Sequence, residues 1–437
     1  MRRIIAILIG ILFAFGSFAQ QILGVDEALN IALINNFNIL IAKNQAEMAA
    51  NYNTLGNAGF LPNVDAGITP RLSYQNTNLK FFTGEEVTRD NAKSQSTNAF
   101  VELNWTVFDG FKMFATKNIL EELEVLGHYE MLFRFEVVAS QVMSMYFQIV
   151  QEQKYLEILN QTMAISNERV RLADTKLRIG SGSELQSLNA FVNRNADSSA
   201  VLQQQLRIKN IKADFNILLG RQPEIDFGVS PEFIYLNDLS YENLKQDLSK
   251  QNKAVLMARS QVSVASSQIR EAQSAFYPRI GLYGAYTYGS QQNEVGVISN
   301  TKNFGPALGA SLTWNLFNGL NDKNEVKNRK LNFENAETES NQIDYEANAN
   351  LYKAFNSYAV WRDLLKLESL NVEAAQEDVS IAKTNLELGG INDVEFRVIQ
   401  LGALDAEYRL LFAEYQSRLA QIELLRLSGI LAQTLNF

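Results

Sequence analysis

Histidine occurs once, at His128, and cysteine nowhere, so the 437-residue chain lacks the pairings on which nucleophilic or metal-dependent catalysis usually rests. Thiol chemistry, disulfides, cysteine metal sites and a lipid anchor on cysteine are excluded. No glycine-rich phosphate loop is present, and the carboxylates and hydroxyls are scattered over helical stretches. The chain therefore reads as a non-enzyme with no cofactor and no metal site. The chemistry that is patterned is partition between lipid and water, because four segments alternate apolar and polar residues with a period of two.

These strands are expected near 62–76, 97–108, 279–289 and 305–317. The first sets Val64, Ala66, Ile68, Leu72 and Tyr74 against Asp65, Thr69, Arg71, Ser73 and Gln75. The second sets Val101, Leu103, Trp105 and Val107 against Glu102, Asn104 and Thr106; the fourth sets Leu308, Ala310, Leu312, Trp314 and Leu316 against Ser311, Thr313 and Asn315. The third puts Leu282, Tyr286 and Tyr288 opposite Arg279 and Thr287, with Tyr283 interrupting. Such strands fit a transmembrane barrel with Val64, Ile68, Leu72, Val101, Leu103, Trp105, Leu282, Tyr286, Leu312 and Trp314 toward lipid; a half-buried soluble sandwich is the alternative. Four strands cannot close around a usable lumen, so the sheet stays open or several chains share one barrel. Three chains would supply twelve strands, and the loops at about 78–95 and 291–304 would face the exterior.

The elements that must carry these strands are written twice. At a constant shift of 209, Val101–Gly220 lies on Ala310–Gly429, so that Trp105, Phe108 and Gly110 fall on Trp314, Phe317 and Gly319, and Gly180 on Gly389. Upstream the shift is 216, placing Phe60, Leu61 and Pro62 on Phe276, Tyr277 and Pro278; one strand-to-strand loop is seven residues shorter in the second copy. Two homologous repeats are expected, 20–220 and 240–429, with an equatorial linker at 221–239 and a tail at 430–437.

Leu320–Leu388 contains neither Pro nor Gly, and Phe111–Ile179 only Gly127. Long helices are expected over 111–179 and 320–388, each about 100 Å, a length that calls for coiled-coil packing. Read in sevens, Val142, Ile149, Leu156, Met163, Val170 and Leu177, and likewise Leu351, Tyr358, Leu365, Val372, Val379 and Leu386, are all apolar. The row three residues later is mixed, with Glu152, Ser166 and Glu368 among Met145, Leu159, Ala173, Ala354, Trp361, Ala375 and Ala382, which suggests contacts shared among several neighbours. Glycine turns end both helices and lead into return helices over 184–219 and 393–428, only about half as long. Two further half-length stretches, Val25–Asn57 and Ser240–Phe276, can complement them end to end.

Residues 1–19 match a secretory signal: Arg2 and Arg3, an apolar run Ile4–Phe15, then Ser17, Phe18 and Ala19, leaving Gln20 first in the mature chain. A retained anchor is the alternative. Without Arg2 and Arg3 the 39 basic residues fall to 37 against 48 acidic ones, a net charge of about −11, so no nucleic acid partner is expected.

Taken in order, the Phe60-Leu61-Pro62 and Phe276-Tyr277-Pro278 strand entries, the Trp-x-x-Phe-Asp/Asn-Gly exits at Trp105–Gly110 and Trp314–Gly319, and the Gly-x-x-Ser-like turns resemble the TolC-like outer membrane efflux protein family. The resemblance covers essentially the whole mature chain. It implies a mixed α and transmembrane β fold: a homotrimer with a twelve-stranded β-barrel in outer membrane lipid, continued by an α-helical coiled-coil tunnel in the periplasm. It implies the exit duct of a tripartite efflux or type I secretion system, with a periplasmic membrane fusion (adaptor) protein and an inner membrane pump of RND or ABC type as partners. The adaptor would dock at the tip turns Gly180, Ser181, Gly182, Ser183, Gly389, Gly390, Ile391 and Asn392, for which helix capping is the plain reading. A periplasmic gate is implied at Glu395, the acidic position of a Gly-x-x-Ser-x-x-Asp pattern, with Asp393 and Arg397 beside it; a solvated charged face is the alternative for those two. Gln186 takes the acidic place in the first hairpin, and Asn392 and Phe396 depart from the pattern in the second. A non-channel periplasmic coiled-coil scaffold or adhesin is the competing function, although it gives Trp105 and Trp314 no reason to occupy equivalent strand ends.

Overall fold

A computed structural model describes residues 22–230 and 239–434. The expected signal segment, Gln20, residues 231–238 of the linker and the last three residues of the tail lie outside them. The first repeat runs β1 (Ile22–Leu23), α1 (Val25–Asn35), α2 (Phe37–Tyr52), β2 (Asn63–Lys80), β3 (Glu86–Phe108), α3 (Lys112–Arg178) and α4 (Glu184–Leu218). After β4 (Gly228–Val229) come α5 (Tyr241–Gln251), α6 (Lys253–Gln273), β5 (Arg279–Asn293), β6 (Asn300–Thr313), α7 (Asn321–Leu388), α8 (Asp393–Ser428) and α9 (Leu431–Thr434). No helix among the described residues is long and apolar enough to cross a membrane. Contacts divide the described residues into a sheet-bearing unit, Gln45–His128 with Met257–Asn341, and a helical unit made of residues 22–44, 129–230, 239–256 and 342–434.

The sheet-bearing unit holds four antiparallel strands in the order β2-β3-β5-β6. Its register sets Val64 opposite Leu103, Val101 opposite Tyr286, Trp105 opposite Leu282 and Ile280 opposite Leu312, which gathers the apolar residues on one face. The other face sets Asp65 opposite Glu102, Arg71 opposite Ser96, Asn98 opposite Gly289 and Gln291 opposite Thr301. Tyr283 belongs to that polar face, between Asn104 and Gly309. Strand ends differ from the sequence expectation in three places, one being the loop expected at 291–304, which is mostly strand because β5 runs to Asn293 and β6 begins at Asn300. Most of the polar stretch 78–95 is not a loop: β2 and β3 stay paired to Lys80 and Glu86, leaving only a short turn in which Phe81 N–H donates to the Glu85 carbonyl at 2.8 Å. Past Ser94, β3 has no β5 partner, so this ribbon is two-stranded and its polarity on both faces hid it from an alternation test. At the other end β6 stops at Thr313, opposite Arg279, because the next residue on the partner side is Pro278, which has no N–H to donate.

In the helical unit, the stretches expected to be continuous over Val25–Asn57 and Ser240–Phe276 are each broken by an asparagine. Asn36 leaves the helix at ψ 125°, and its amide donates to the Leu218 carbonyl at 2.8 Å while its side-chain oxygen accepts from Asn38 N–H at 2.9 Å. Asn252 does the same at ψ 119°, donating to the Leu427 carbonyl at 2.8 Å and accepting from Val255 N–H at 3.1 Å. Each asparagine thus ends one helix, starts the next and satisfies an otherwise unpaired carbonyl at the end of a return helix. The return helices stop at Gly220 and Gly429, whose φ angles of 68° and 76° lie in the left-handed region. A methyl group at either would meet the Asn35 or Gln251 carbonyl oxygen at 2.5 or 2.4 Å.

Around these junctions lie two cores. Leu23, Leu29, Phe147, Ile149, Phe215 and Phe227 form the larger, beside the parallel pair β1-β4. Leu244, Leu248, Leu351, Tyr358 and Leu424 form the second. Of the seven-residue rows, Val142, Ile149, Leu351, Tyr358, Val372 and Leu386 are buried, whereas Leu177 is exposed near the tip of its hairpin.

Candidate functional site

The two tryptophans do the same job in each repeat. The Trp105 indole N–H donates to the Phe60 carbonyl at 2.9 Å, and Trp314 repeats the bond to Phe276 at 3.1 Å. Each bond ties the end of a strand to the Phe-x-Pro segment that enters the preceding one. The indole rings stay 39% and 55% exposed, and Val64, Ile68, Leu72, Val101, Leu103, Leu282, Tyr286 and Leu312 are exposed on the same apolar face. Large apolar residues left open across a whole sheet face need a covering medium. The polar face encloses a cavity of about 420 Å³ lined by Arg71, Ser73, Ser94, Ser96, Asn98 and Gln291 with their neighbours.

The hairpin tips of the helical unit are built by capping. Gly180 and Gly389 adopt φ angles of 76° and 81°, and the last carbonyls of α3 and α7 are taken up by Ser181 and Gly182 N–H on Lys176 (2.9 and 3.0 Å) and by Gly390 N–H on Asn385 (2.8 Å). At the start of α4, Gln186 N–H donates to Ser183 Oγ and Ser183 N–H donates back to the Gln186 side chain. At the start of α8, Val394 and Glu395 N–H donate to Asn392 Oδ1 at 3.0 and 2.9 Å, and Asn392 N–H donates back to Glu395 Oε2 at 2.9 Å. Glu395 and Gln186 therefore occupy the same reciprocal capping position, which explains how an amide can replace a carboxylate there. Ile391 packs on the small core of Ala382, Leu386 and Phe396.

Asp393 and Arg397 are not on a solvated face. Arg397 grips Asp197 of α4 through two hydrogen bonds of 2.7 and 2.9 Å, and Asp393 receives two from Arg169 of α3 at 2.7 and 2.9 Å. The four side chains keep between 3% and 17% of their surface. Gln400 joins the pairs: its side-chain oxygen accepts from both arginines at 3.1 Å, and its amide donates to the Thr162 carbonyl at 3.1 Å. Ser166 Oγ closes the network by donating to Asp197 at 2.6 Å. Phe396, a departure from the family pattern, is 1% exposed and lies under the Arg169 guanidinium at 5.7 Å. Bidentate, largely desolvated pairs of this kind fix geometry, and losing one member leaves its partner's charge stranded. Beside them a groove of about 500 Å³ is lined by Leu172, Leu386 and Phe396 and rimmed by Glu168, Arg171, Arg178 and Lys383.

Arg169, Asp197, Gln400 and Ser166 were missed by sequence reasoning. The available signal was Ser166, a polar residue on the inner row three after the apolar heptad. Glu152 on the same row behaves alike, accepting from Gln204 at 2.6 Å and pairing with Arg207 at 2.9 Å.

A four-stranded sheet with an apolar band on one face and a polar opposite face, together with doubled, capped helical hairpins, is the plan of an outer membrane channel of mixed α and β fold. The chain belongs to the outer membrane efflux protein family, whose profile matches residues 28–221 and 244–430. A curated relative, outer membrane efflux protein BepC of Brucella suis biovar 1, is 20% identical over 335 residues, 72% of this chain and 70% of that protein. The fold is similar to the CmeC outer membrane channel of Campylobacter jejuni (TM-score 0.78, 17% identity, 93% of this chain and 86% of that one). It is also similar to the open-state MtrE outer membrane channel of Neisseria gonorrhoeae (TM-score 0.72, 14% identity, 93% and 89%). The protein is an outer membrane efflux channel extending into the periplasm, a class of conduit and not of enzyme.

Proposed function

We propose that three copies close their sheets into a twelve-stranded barrel and their helices into a periplasmic tunnel, forming the passive exit duct of a tripartite efflux or type I secretion system. The observation that carries this reading is the four-strand register, which leaves one face apolar over a band ending near Lys93 and Lys302 and the other polar, but supplies too few strands to close alone. The residues of the apolar band then face lipid and the polar face lines the lumen. An inner membrane pump of RND or ABC type supplies the energy, and a periplasmic adaptor docks on the tip turns 180–183 and 389–392. The charged groove beside the second hairpin suits a docking partner with an apolar ridge and mixed charge.

In this reading the gate lies in the paired hairpins. Asp393 and Arg397 on α8 hold the second hairpin to α3 and α4 through Arg169 and Asp197, a closed arrangement that adaptor binding biases open. Glu395 keeps its capping bond and presents its carboxylate at the tip. Purified protein should be a trimer by light scattering and should form water-filled channels in planar bilayers, with higher conductance in Arg397→Ala. A monomer that never conducts, in either form, would show that the sheet serves something other than a pore.

A further inference from the structure

The polar face of the sheet carries its charges in separate layers. Asp65 lies opposite Glu102 near the helix-connected end, where Asn104 donates to Glu102 at 3.4 Å. Farther along, from Gly67 to Gln75 on β2 and over the facing stretches of β3, β5 and β6, that face carries hydroxyl and amide side chains, glycines, Ala92 and Phe100 apart from one residue. Arg71 is the one charged side chain in this stretch among the described residues. It opens into the 420 Å³ cavity beside Ser73, Ser94, Ser96 and Asn98, with no ion pair and no hydrogen-bond partner among the described residues.

Its charge is not cancelled by the nearest layers. Asp65 is roughly 20 Å away along β2 at about 3.3 Å per residue, and fields between exposed charges decay over about 8 Å in physiological salt. On the turn side Glu294 is already committed, accepting from Lys93 N–H at 2.9 Å and pairing with Arg89 at 3.5 Å. Lys302 and Lys93 stand on the opposite face, opposite Ser290 and Tyr74.

We propose that Arg71 sets the charge selectivity of the duct, so that the barrel favours anionic solutes over cations; this rests on the trimeric barrel proposed above. Three chains place three guanidinium groups in one ring, and rings of cationic side chains are how pores select anions. The surrounding hydroxyls and amides donate neutral hydrogen bonds that replace part of an anion's water without trapping it, as transit requires. The acidic totals of the chain point the other way, toward a cation path, so the placement of one residue decides against the overall charge.

The test is the reversal potential of the purified protein in planar bilayers under a potassium chloride gradient. Wild-type channels should prefer chloride. Arg71→Gln should lower the chloride-to-potassium permeability ratio by at least about twofold and Arg71→Glu further, as expected for a cationic filter ring. Arg71→Lys should keep the ratio, and Lys302→Gln, the same charge change on the opposite face, should leave it unmoved. A cation-selective wild type overturns the inference whatever the variants do, as does a ratio indifferent to Arg71 or equally sensitive to Lys302. Absence of channels in the wild type removes the duct reading itself, an outcome distinct from channels of the wrong selectivity.

Discussion

Trp105 donates its indole N–H to the carbonyl of Phe60, and the bond recurs between Trp314 and Phe276. The two repeats are offset by 209 residues at the tryptophans and by 216 at the phenylalanines, yet the same clasp forms, because the difference is absorbed in the longer paired strands β2 and β3; the turns themselves, 81–85 and 294–299, do not carry the seven-residue shortening expected of a loop. Replacing Trp105 or Trp314 by Phe keeps an aromatic ring at the edge of the apolar band and removes the donor together with part of the ring surface. Each change should cost about 1 kcal/mol and the pair about twice that, since the clasps share no partner. Thermal unfolding of the detergent-solubilised protein checks this; strong non-additivity would mean that the two clasps are coupled.

The Arg397–Asp197 pair should behave as a buried one. Asp197→Ala alone leaves Arg397 uncompensated and should destabilise the hairpins by on the order of 3 kcal/mol. Arg397→Met combined with Asp197→Leu should recover most of that, because both desolvated charges are gone. A double-mutant cycle read by urea unfolding separates the two effects. If the double variant is as unstable as the single one, the pair contributes by packing and not by charge.

The plan of the chain was legible because its signals are periodic: the repeat at 209, the apolar rows in sevens and the strand alternation each recur many times. What was not legible depends on single contacts. Asn36 and Asn252 sit in sequences with good helical character, and only the carbonyls of Leu218 and Leu427, distant in sequence, reveal why the helix breaks there. The charged network was hidden for the same reason: the sequence offers Asp393 and Arg397 as gate candidates or a solvated face, and only the fold brings Arg169 and Asp197 beside them. Glu395 was singled out by its place in a pattern, and that place is a capping position first.

Gly429 tests the junction at the end of α8. Alanine there must hold a φ of 76° and push its methyl group to 2.4 Å from the Gln251 carbonyl oxygen. Left-handed strain alone costs about 1–2 kcal/mol, and the contact adds to it, since the oxygen belongs to backbone and cannot swing away. Gly429→Ala should lower the folded yield, and Gly220→Ala should do likewise against Asn35. An alanine variant as stable as wild type by thermal unfolding would show that the junction relaxes freely.

Glu136 on α3 gives the helical unit a pH dependence of its own. Its side chain is 4% exposed, and Lys253 Nζ approaches Oε1 only to 3.6 Å, beyond hydrogen-bond length, so that oxygen is left without a hydrogen-bond donor. Burial pushes its pKa up to about 7 from 4.5, against the smaller opposing pull of Lys253 and Arg426. Arg426 is itself held by Glu423 at 2.6 Å and does not rescue the buried charge. Because the folded state keeps the proton that the unfolded chain releases near 4.5, stability contributed by this group is full below that pH and is lost as pH rises to about 7. The span corresponds to on the order of 3 kcal/mol. Glu136→Gln, which carries no titrating proton, should flatten that part of the curve, so wild type and variant should differ most in pH dependence between 4.5 and about 7. Parallel stability curves for the two proteins across that window would mean that Glu136 is solvated and paired like an ordinary carboxylate.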